Sequence, residues 1–151
     1  MGYTMRYLTT EDRDISLSLI ESALREMDAA FAVANADLPD LGDLMYGETQ
    51  LGILEINRPG EDIFEDDLAE FRDLVGKGDS AAQHHVLDVL DQAQVMVVVE
   101  ALWQGTDAEP VLSKLDVLWD WLFAHYPGLL QADNEGFYEG DDLILERRFT
   151  L

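Results

Sequence analysis

Two glutamates, Glu55 and Glu100, lie inside segments that are otherwise almost entirely apolar. A carboxylate buried in such a segment needs a partner or takes up a proton, because burial disfavours its charged form. If both glutamates were buried side by side on a sheet, they would form a small polar site, with Arg58, Arg147 or Arg148 as its counter-charge. The alternative is that each glutamate lies near a strand end or a sheet edge and reaches water.

The three histidines do not form a pattern that is typical of metal ligands. His84 and His85 are adjacent, and adjacent residues of a helix point about 100° apart. His125 lies at the end of a predicted helix, where a cation suits the helix dipole. We therefore predict surface or capping roles for the histidines. The absence of cysteine excludes disulfides, thiolate metal sites and cysteine nucleophiles.

The segment 133–136, Asp-Asn-Glu-Gly, has part of the pattern of a calcium-binding loop. In that alignment Gln131 would be the first ligand and Asp142 the last, where calcium loops use an acid and a bidentate glutamate. We therefore predict an acidic hairpin turn, with weak divalent binding left open. Adjacent acids such as Asp66 and Asp67 could perform acid–base chemistry, but pairs arise by chance among 32 acids. We predict no catalytic residue, no metal site and no cofactor.

The charge of the chain is exceptional: 32 Asp and Glu residues face nine Lys and Arg residues, a net charge of −23. Nucleic acid and anionic membranes would be repelled, whereas basic proteins would be attracted. The alternative explanation is adaptation to a salty or acid-rich cytoplasm.

The densest acidic stretch, 61–73, is predicted to be a helix that contacts a basic partner, with a buried apolar anchor at the centre of the contact. Trp119 and Trp121 lie two apart on another predicted helix, so one of them should be partly exposed, and we choose Trp121. The predicted contact residues are Phe64, Glu65, Asp66, Glu70, Asp73 and Trp121.

The segment 94–103 is predicted to be the central strand of the only sheet. Residues 95–99 are all apolar and four of them are β-branched, which favours a strand over a helix. Because this run is apolar on both faces, it needs cover on both sides, or cover on one side and an oligomer interface on the other.

Apolar periodicity and capping signals predict the remaining elements. Helices are expected over about 10–31, 61–75, 80–93 and 110–126, and a second strand over 50–57. Residues 1–8 are expected to form an edge strand and 35–42 a loop. Short strands are expected at 129–132, 137–138 and 143–149.

This order of elements predicts an α+β fold, with three to four helices packed on a four- to five-stranded mixed sheet. A ferredoxin-like sandwich is the closest common plan, by analogy alone. We find no internal repeat and no linker, so a single domain over 1–151 is expected. A cytoplasmic location is expected, because no apolar run reaches the roughly 20 residues of a membrane span and no secretory leader pattern is present.

The leading functional hypothesis is a non-enzymatic binding module for a basic protein, in the manner of a toxin antidote or a nucleic-acid mimic. Self-association into a homo-oligomer is the second partner class. The alternative is a salt-adapted domain with a small-molecule or enzymatic site near Glu55, Glu100 and Arg58.

Overall fold

The computed structural model of the chain describes residues 2–13, 15–103 and 107–147. Within these residues the chain forms eight strands and four helices. The strands are β1 (Gly2–Thr9), β2 (Phe31–Leu38), β3 (Leu41–Tyr46), β4 (Thr49–Asn57), β5 (Val95–Leu102), β6 (Gly128–Ala132), β7 (Gly136–Glu139) and β8 (Asp142–Glu146). The helices are α1 (Leu17–Met27), α2 (Asp62–Val75), α3 (Ala81–Gln92) and α4 (Glu109–His125).

The strands form one open antiparallel sheet in the order β2-β3-β4-β5-β1-β6-β7-β8. The expected four- to five-stranded mixed sheet of ferredoxin-like plan is therefore wrong, although the fold remains α+β. Much of the difference comes from residues 35–42, which were expected to be a loop but extend the β2–β3 hairpin. Strand β2 is an edge strand whose second half, residues 35–38, is exposed, and the Pro39 and Gly42 that follow it predicted a loop.

Strand β1 is the second correction, since it lies inside the sheet between β5 and β6 and was expected at an edge. Tyr7, Leu8 and Thr9 are fully buried there. A helix was expected from about residue 10, but the strand continues to Thr9, whose hydroxyl donates to the Pro127 carbonyl over 2.8 Å. Helix α1 begins later, at Leu17, where the Ser16 side chain accepts a hydrogen bond from the Leu19 N–H.

Strand β5 is covered by helices on both faces, which is one of the two arrangements that the apolar run predicted. Val95, Val97 and Val99 pack in the core beneath α1 and α4. Met96 and Val98 pack in a second core beneath α2 and α3. We call these two sides the α1/α4 face and the α2/α3 face of the sheet.

Local signals account for the helix termini that the sequence predicted. Ser80 and Gln83 form a capping box at the start of α3. Helix α2 ends at Val75 and is followed by Gly76, whose φ of 73° lies in the left-handed region that glycine adopts without a steric penalty. No helix in the described part of the chain is long and apolar enough to cross a membrane.

Val97→Asp is expected to prevent soluble folding. Val97 is 0% exposed and pairs with Tyr7 and Ile56 in the two neighbouring strands. An unpaired buried charge costs several kcal/mol, against a typical total stability of about 5–15 kcal/mol. The matched control is Leu143→Asp, because Leu143 is 43% exposed on the outer strand β8. Circular dichroism of both variants checks the expectation, and a folded Val97→Asp protein would contradict it.

Candidate functional site

Strand register places Glu55 and Glu100 on the same face of the sheet. In the antiparallel β4–β5 pair, Ile53 lies opposite Glu100 and Glu55 lies opposite Val98. The two glutamates are therefore diagonal neighbours, and both belong to the α2/α3 face. Glu100 is exposed, whereas Glu55 is half-buried, so the structure brings the pair together but buries only one of them.

Partial burial is the largest cause that raises the pKa of Glu55, and the nearby carboxylates of Glu61 and Asp67 raise it further. Asn57, two residues along the same face of β4, is 2% exposed. Its Nδ2 group has no acceptor among the described residues. This face of β4 therefore holds a carboxylate with a raised pKa and an amide donor that is not satisfied.

The arginines that were expected beside these glutamates are used elsewhere. Arg58 Nη1 lies 2.8 Å from Asp40 Oδ2, and its Nη2 donates to the Ile15 carbonyl over 2.8 Å. Arg147 donates to the carbonyls of Leu74 and Val75 at the end of α2, where a cation complements the helix dipole. Arg148 lies outside the described residues.

Arg6 of β1 lies on the α2/α3 face, opposite Val98 of β5. Its Nε lies 3.1 Å from Asp67 Oδ2 of α2. Its Nη1 donates to Gln131 Oε1 over 2.9 Å and to Asp133 Oδ1 over 3.0 Å. The guanidinium carbon also lies 5.2 Å from the centre of the Phe71 ring, within cation–π range. These five residues form what we call the Arg6 network.

The Arg6 network was not predicted from the sequence, because the pattern placed Arg6 on the solvent face of an edge strand. Arg6 alternates with Tyr7 and Met5, which is typical of the solvent face of an edge strand. The buried partner set appears only because α2 and the β6–β7 turn fold over that face. Burial raises the pKa of Asp67, and Arg6 offsets this effect only in part.

Helix α2 places four of the predicted contact residues on its outer side. Glu65, Asp66, Glu70 and Asp73 are exposed, and none of them forms an ion pair within the described residues. Phe64 is 1% exposed and packs in the core beneath the helix. Phe64 therefore holds α2 against the sheet and offers no exposed anchor to a partner.

Trp121 lies on α4, on the opposite side of the sheet from α2. It is half-buried and packs edge-on against Tyr126, with ring centres 5.8 Å apart. Trp119 is 2% exposed, so the prediction that Trp121 is the more exposed of the two is confirmed. The exposed apolar side chain beside the acids of α2 is Ile63, at 47% exposure.

The histidine and calcium-loop candidates form contacts within the fold. His85 Nε2 lies 2.7 Å from Glu139 Oε2 in an exposed pair. Asp133 and Glu135 lie in the β6–β7 hairpin turn, where Asp133 belongs to the Arg6 network. In the parts of the chain that the structure describes, no group of three or more His, Asp or Glu side chains is placed to hold a metal ion.

Comparisons of the chain with protein-family models, with curated proteins and with solved structures found no match.

Arg6→Met is expected to lower the free energy of unfolding by about 3 kcal/mol, because it leaves the partly buried Asp67 without its cation. Arg72→Met is the matched control: its ion pair with Asp91 has side chains 43% and 65% exposed. Removing such an exposed pair costs less than about 1 kcal/mol. Urea unfolding measures the free energy of unfolding of both variants. Equal decreases would show that the Arg6 network stabilises the fold no more than an exposed ion pair does.

Glu55→Gln is expected to raise the melting temperature at pH 7 and to leave it nearly unchanged at pH 3. The pKa of Glu55 is raised in the folded protein, so the contribution of this group to stability is fully present below its unfolded pKa. That contribution is lost as the pH rises through the folded pKa, a loss that glutamine avoids because it does not ionise. Glu100→Gln, at the exposed neighbouring position, is expected to have a smaller effect at pH 7. A Glu55→Gln gain that persists at pH 3 would contradict this explanation.

Proposed function

We propose that this protein acts by binding a basic partner protein through the outer side of α2. The acidic face of α2 consists of Asp62, Glu65, Asp66, Glu70 and Asp73, which are all exposed. The observation that carries the proposal is that these acids lie together on one side of the helix. They lie opposite the residues Phe64, Leu68, Phe71 and Val75 that the helix buries.

Helix stability does not account for this arrangement. Asp62 and Asp66, and likewise Asp66 and Glu70, are four residues apart, where like charges destabilise a helix by a few tenths of a kcal/mol per pair. Asp73 lies in the last turn, where the helix dipole disfavours an anion. The helix dipole favours Asp62 and Glu65 in the first turn, but it does not account for Asp66, Glu70 and Asp73, which supports a role for these three acids outside the fold.

A net charge of −23 creates a long-range field that would steer a basic protein toward the molecule. Steering raises the association rate, but a lasting complex also needs desolvated contacts. Ile63, exposed beside the acidic face of α2, is the apolar side chain that could form the centre of such a contact.

A second candidate, solvent adaptation, is favoured by one observation: exposed acids are not confined to α2. Asp12, Glu26, Asp37 and Glu48 are exposed on other parts of the chain. Under this candidate the acidity serves hydration in high salt, and the acidic face of α2 has no dedicated partner.

Pull-downs from a lysate of the source organism separate the two candidates. The α2 variant carries Glu65→Gln, Asp66→Asn, Glu70→Gln and Asp73→Asn. The matched control carries the same net change on other elements, with Asp12→Asn, Glu26→Gln, Asp37→Asn and Glu48→Gln. Both are compared with the wild type at about 0.1 M sodium chloride, where the Debye length is about 10 Å, and at moderate salt.

We expect one basic protein to be retained by the wild type and by the matched control, and to be lost from the α2 variant. Capture of many basic proteins that disappears equally for all three forms as salt rises would contradict the proposal and support solvent adaptation.

A further inference from the structure

Strands β2, β3 and β4 are covered by helices on one face only. On that face Phe31, Leu44 and Leu54 pack in the core beneath α1 and α4. Among the described residues, the core beneath α2 and α3 takes its strand side chains from β1, β5, β6, β7 and β8, and none from β2, β3 or β4. The α2/α3 face of these three strands is therefore open.

Strand register identifies the side chains of this surface. Residues that lie directly opposite each other in neighbouring strands point to the same face of a sheet, so the surface can be followed outward from Glu100 of β5. All of its side chains are at least partly exposed. The open sheet face, as we call it, consists of Ala32, Ala34, Leu41, Asp43, Met45, Gln50, Ile53, Glu55 and Glu100.

Ile53 lies among three carboxylates of the open sheet face. Asp43 is opposite it on β3, and Glu100 is opposite it on β5. Glu55 follows two residues later on β4 and points to the same side. Because directly opposed residues have Cβ atoms about 4.5–5.5 Å apart, these acids surround one apolar side chain.

No basic side chain neutralises these acids within the described part of the chain. None of the nine residues of the open sheet face is basic, and Asp43, Glu55 and Glu100 form no ion pair there. The amides of Asn35 and Gln50 donate to Asp43 over 2.7 and 3.1 Å, which holds that carboxylate in place without cancelling its charge.

The start of α2 borders the open sheet face and adds to its negative charge. Partial burial raises the pKa of Glu55, and the carboxylates of Glu61 and Asp67 raise it further. Both of these acids belong to α2 or to the residue before it. A cation placed over Glu55 would relieve this repulsion.

Exposure to water does not account for the apolar part of the open sheet face. An antiparallel sheet that leaves one face in water has polar side chains there. Five of the nine side chains here are apolar, namely Ala32, Ala34, Leu41, Met45 and Ile53. Apolar anchors with polar groups around them are typical of protein interfaces.

The charge argues against a second copy of the chain as the occupant. Two open sheet faces packed together would bring Asp43, Glu55 and Glu100 of each copy against the same acids of the other. Each copy also carries a net charge of −23. Like charges at such a contact are repulsive, whereas a basic partner is attracted.

The adjacent sheet edge does not favour an added strand. The outward N–H of Val33 donates to Glu21 Oε2 over 2.6 Å, and Arg25 donates to the Phe31 carbonyl over 3.0 Å. Side chains of α1 thus occupy backbone groups of β2 that an added strand would need. A helix is the element that covers a sheet face. Three strands about 4.8 Å apart form a floor roughly 10 Å wide, which matches the diameter of a helix.

We propose that the open sheet face binds an amphipathic helix of the partner protein, whose apolar stripe packs on Ile53 and whose flanking lysines or arginines face the surrounding carboxylates. This inference rests on the proposed function, the binding of a basic partner, and it specifies the chemistry of that partner. It adds the floor of the sheet to the acidic face of α2 as a contact surface.

Two synthetic peptides of leucine and lysine, each about 14 residues long, test the proposal. Their composition and charge are the same, but only one has its leucines at three- and four-residue steps, so that they form one stripe on a helix. Fluorescence anisotropy measures both affinities at about 0.15 M sodium chloride, where the Debye length is about 8 Å. We expect the amphipathic peptide to bind at least roughly tenfold more tightly than the scrambled peptide. Equal affinities would overturn the proposal.

Charge variants locate the contact. Glu55→Gln with Glu100→Gln is expected to weaken binding of the amphipathic peptide several-fold. The matched control is Asp116→Asn with Asp120→Asn, which makes the same change in charge on the other side of the sheet. These two residues line the cavity beside α4, a space of about 300 Å³ between α4 and strands β1, β6 and β7. Equal losses in both double variants would show a general field effect and overturn the proposal.

Ile53→Thr tests the apolar contact. It keeps a β-branched side chain at a partly exposed position, and it is expected to remove most of the preference for the amphipathic peptide. Sedimentation of the wild type alone checks the other occupant. A dimer that Ile53→Thr abolishes would overturn the proposal, because a second copy would then cover the open sheet face.

NMR spectra of isotope-labelled protein separate this inference from the proposed function. We expect the amphipathic peptide to shift the amide signals of Met45 and Ile53. Shifts confined to the outer side of α2 would overturn the inference and leave the proposed function standing. Shifts at Ile53, together with a native partner that the α2 variant retains in the pull-down, would support the inference and overturn α2 as the contact.

Discussion

Strand β5 carries apolar side chains on both faces, and neither face can be left in water without losing the hydrophobic free energy that drives folding. The helices accordingly divide into two pairs, with α1 and α4 over one side and α2 and α3 over the other. This division places the acidic helix α2 and the cavity beside α4 on different sides of the sheet.

Cations are scarce in this chain, and the fold uses one of them where three elements meet. Arg6 on β1 binds Asp67 of α2, Gln131 of β6 and Asp133 of the following turn. Each of these polar groups would be costly to bury alone, but together they satisfy one another. Burial raises the pKa of Asp67 and of nearby Glu55 alike, and within the described residues Arg6 offsets part of this effect at Asp67.

Several elements could be predicted from the sequence because their signals are local. Helix α2 has a full apolar stripe from Phe64 to Val75, α3 has its capping serine, and β5 has a buried valine run. Strand β2 and the position of β1 within the sheet were not predicted correctly. The second half of β2 looks like a loop because Pro39 and Gly42 follow it, and β1 looks like an edge strand because Arg6 interrupts its apolar pattern. Propensity and periodicity do not report which strands become neighbours.

The sequence by itself determined the excess of negative charge, the α+β class, the central strand and the acidic helix, because composition and periodicity are properties of contiguous residues. Tertiary structure alone decided the eight-stranded antiparallel order, the use of Arg6 instead of Arg58 on the α2/α3 face, and the burial of Phe64. It also brought Tyr3 to Glu135 across 132 positions of the chain. Such contacts depend on strand register and on which helix covers which face, and these follow from the packing of the whole chain and not from any one segment.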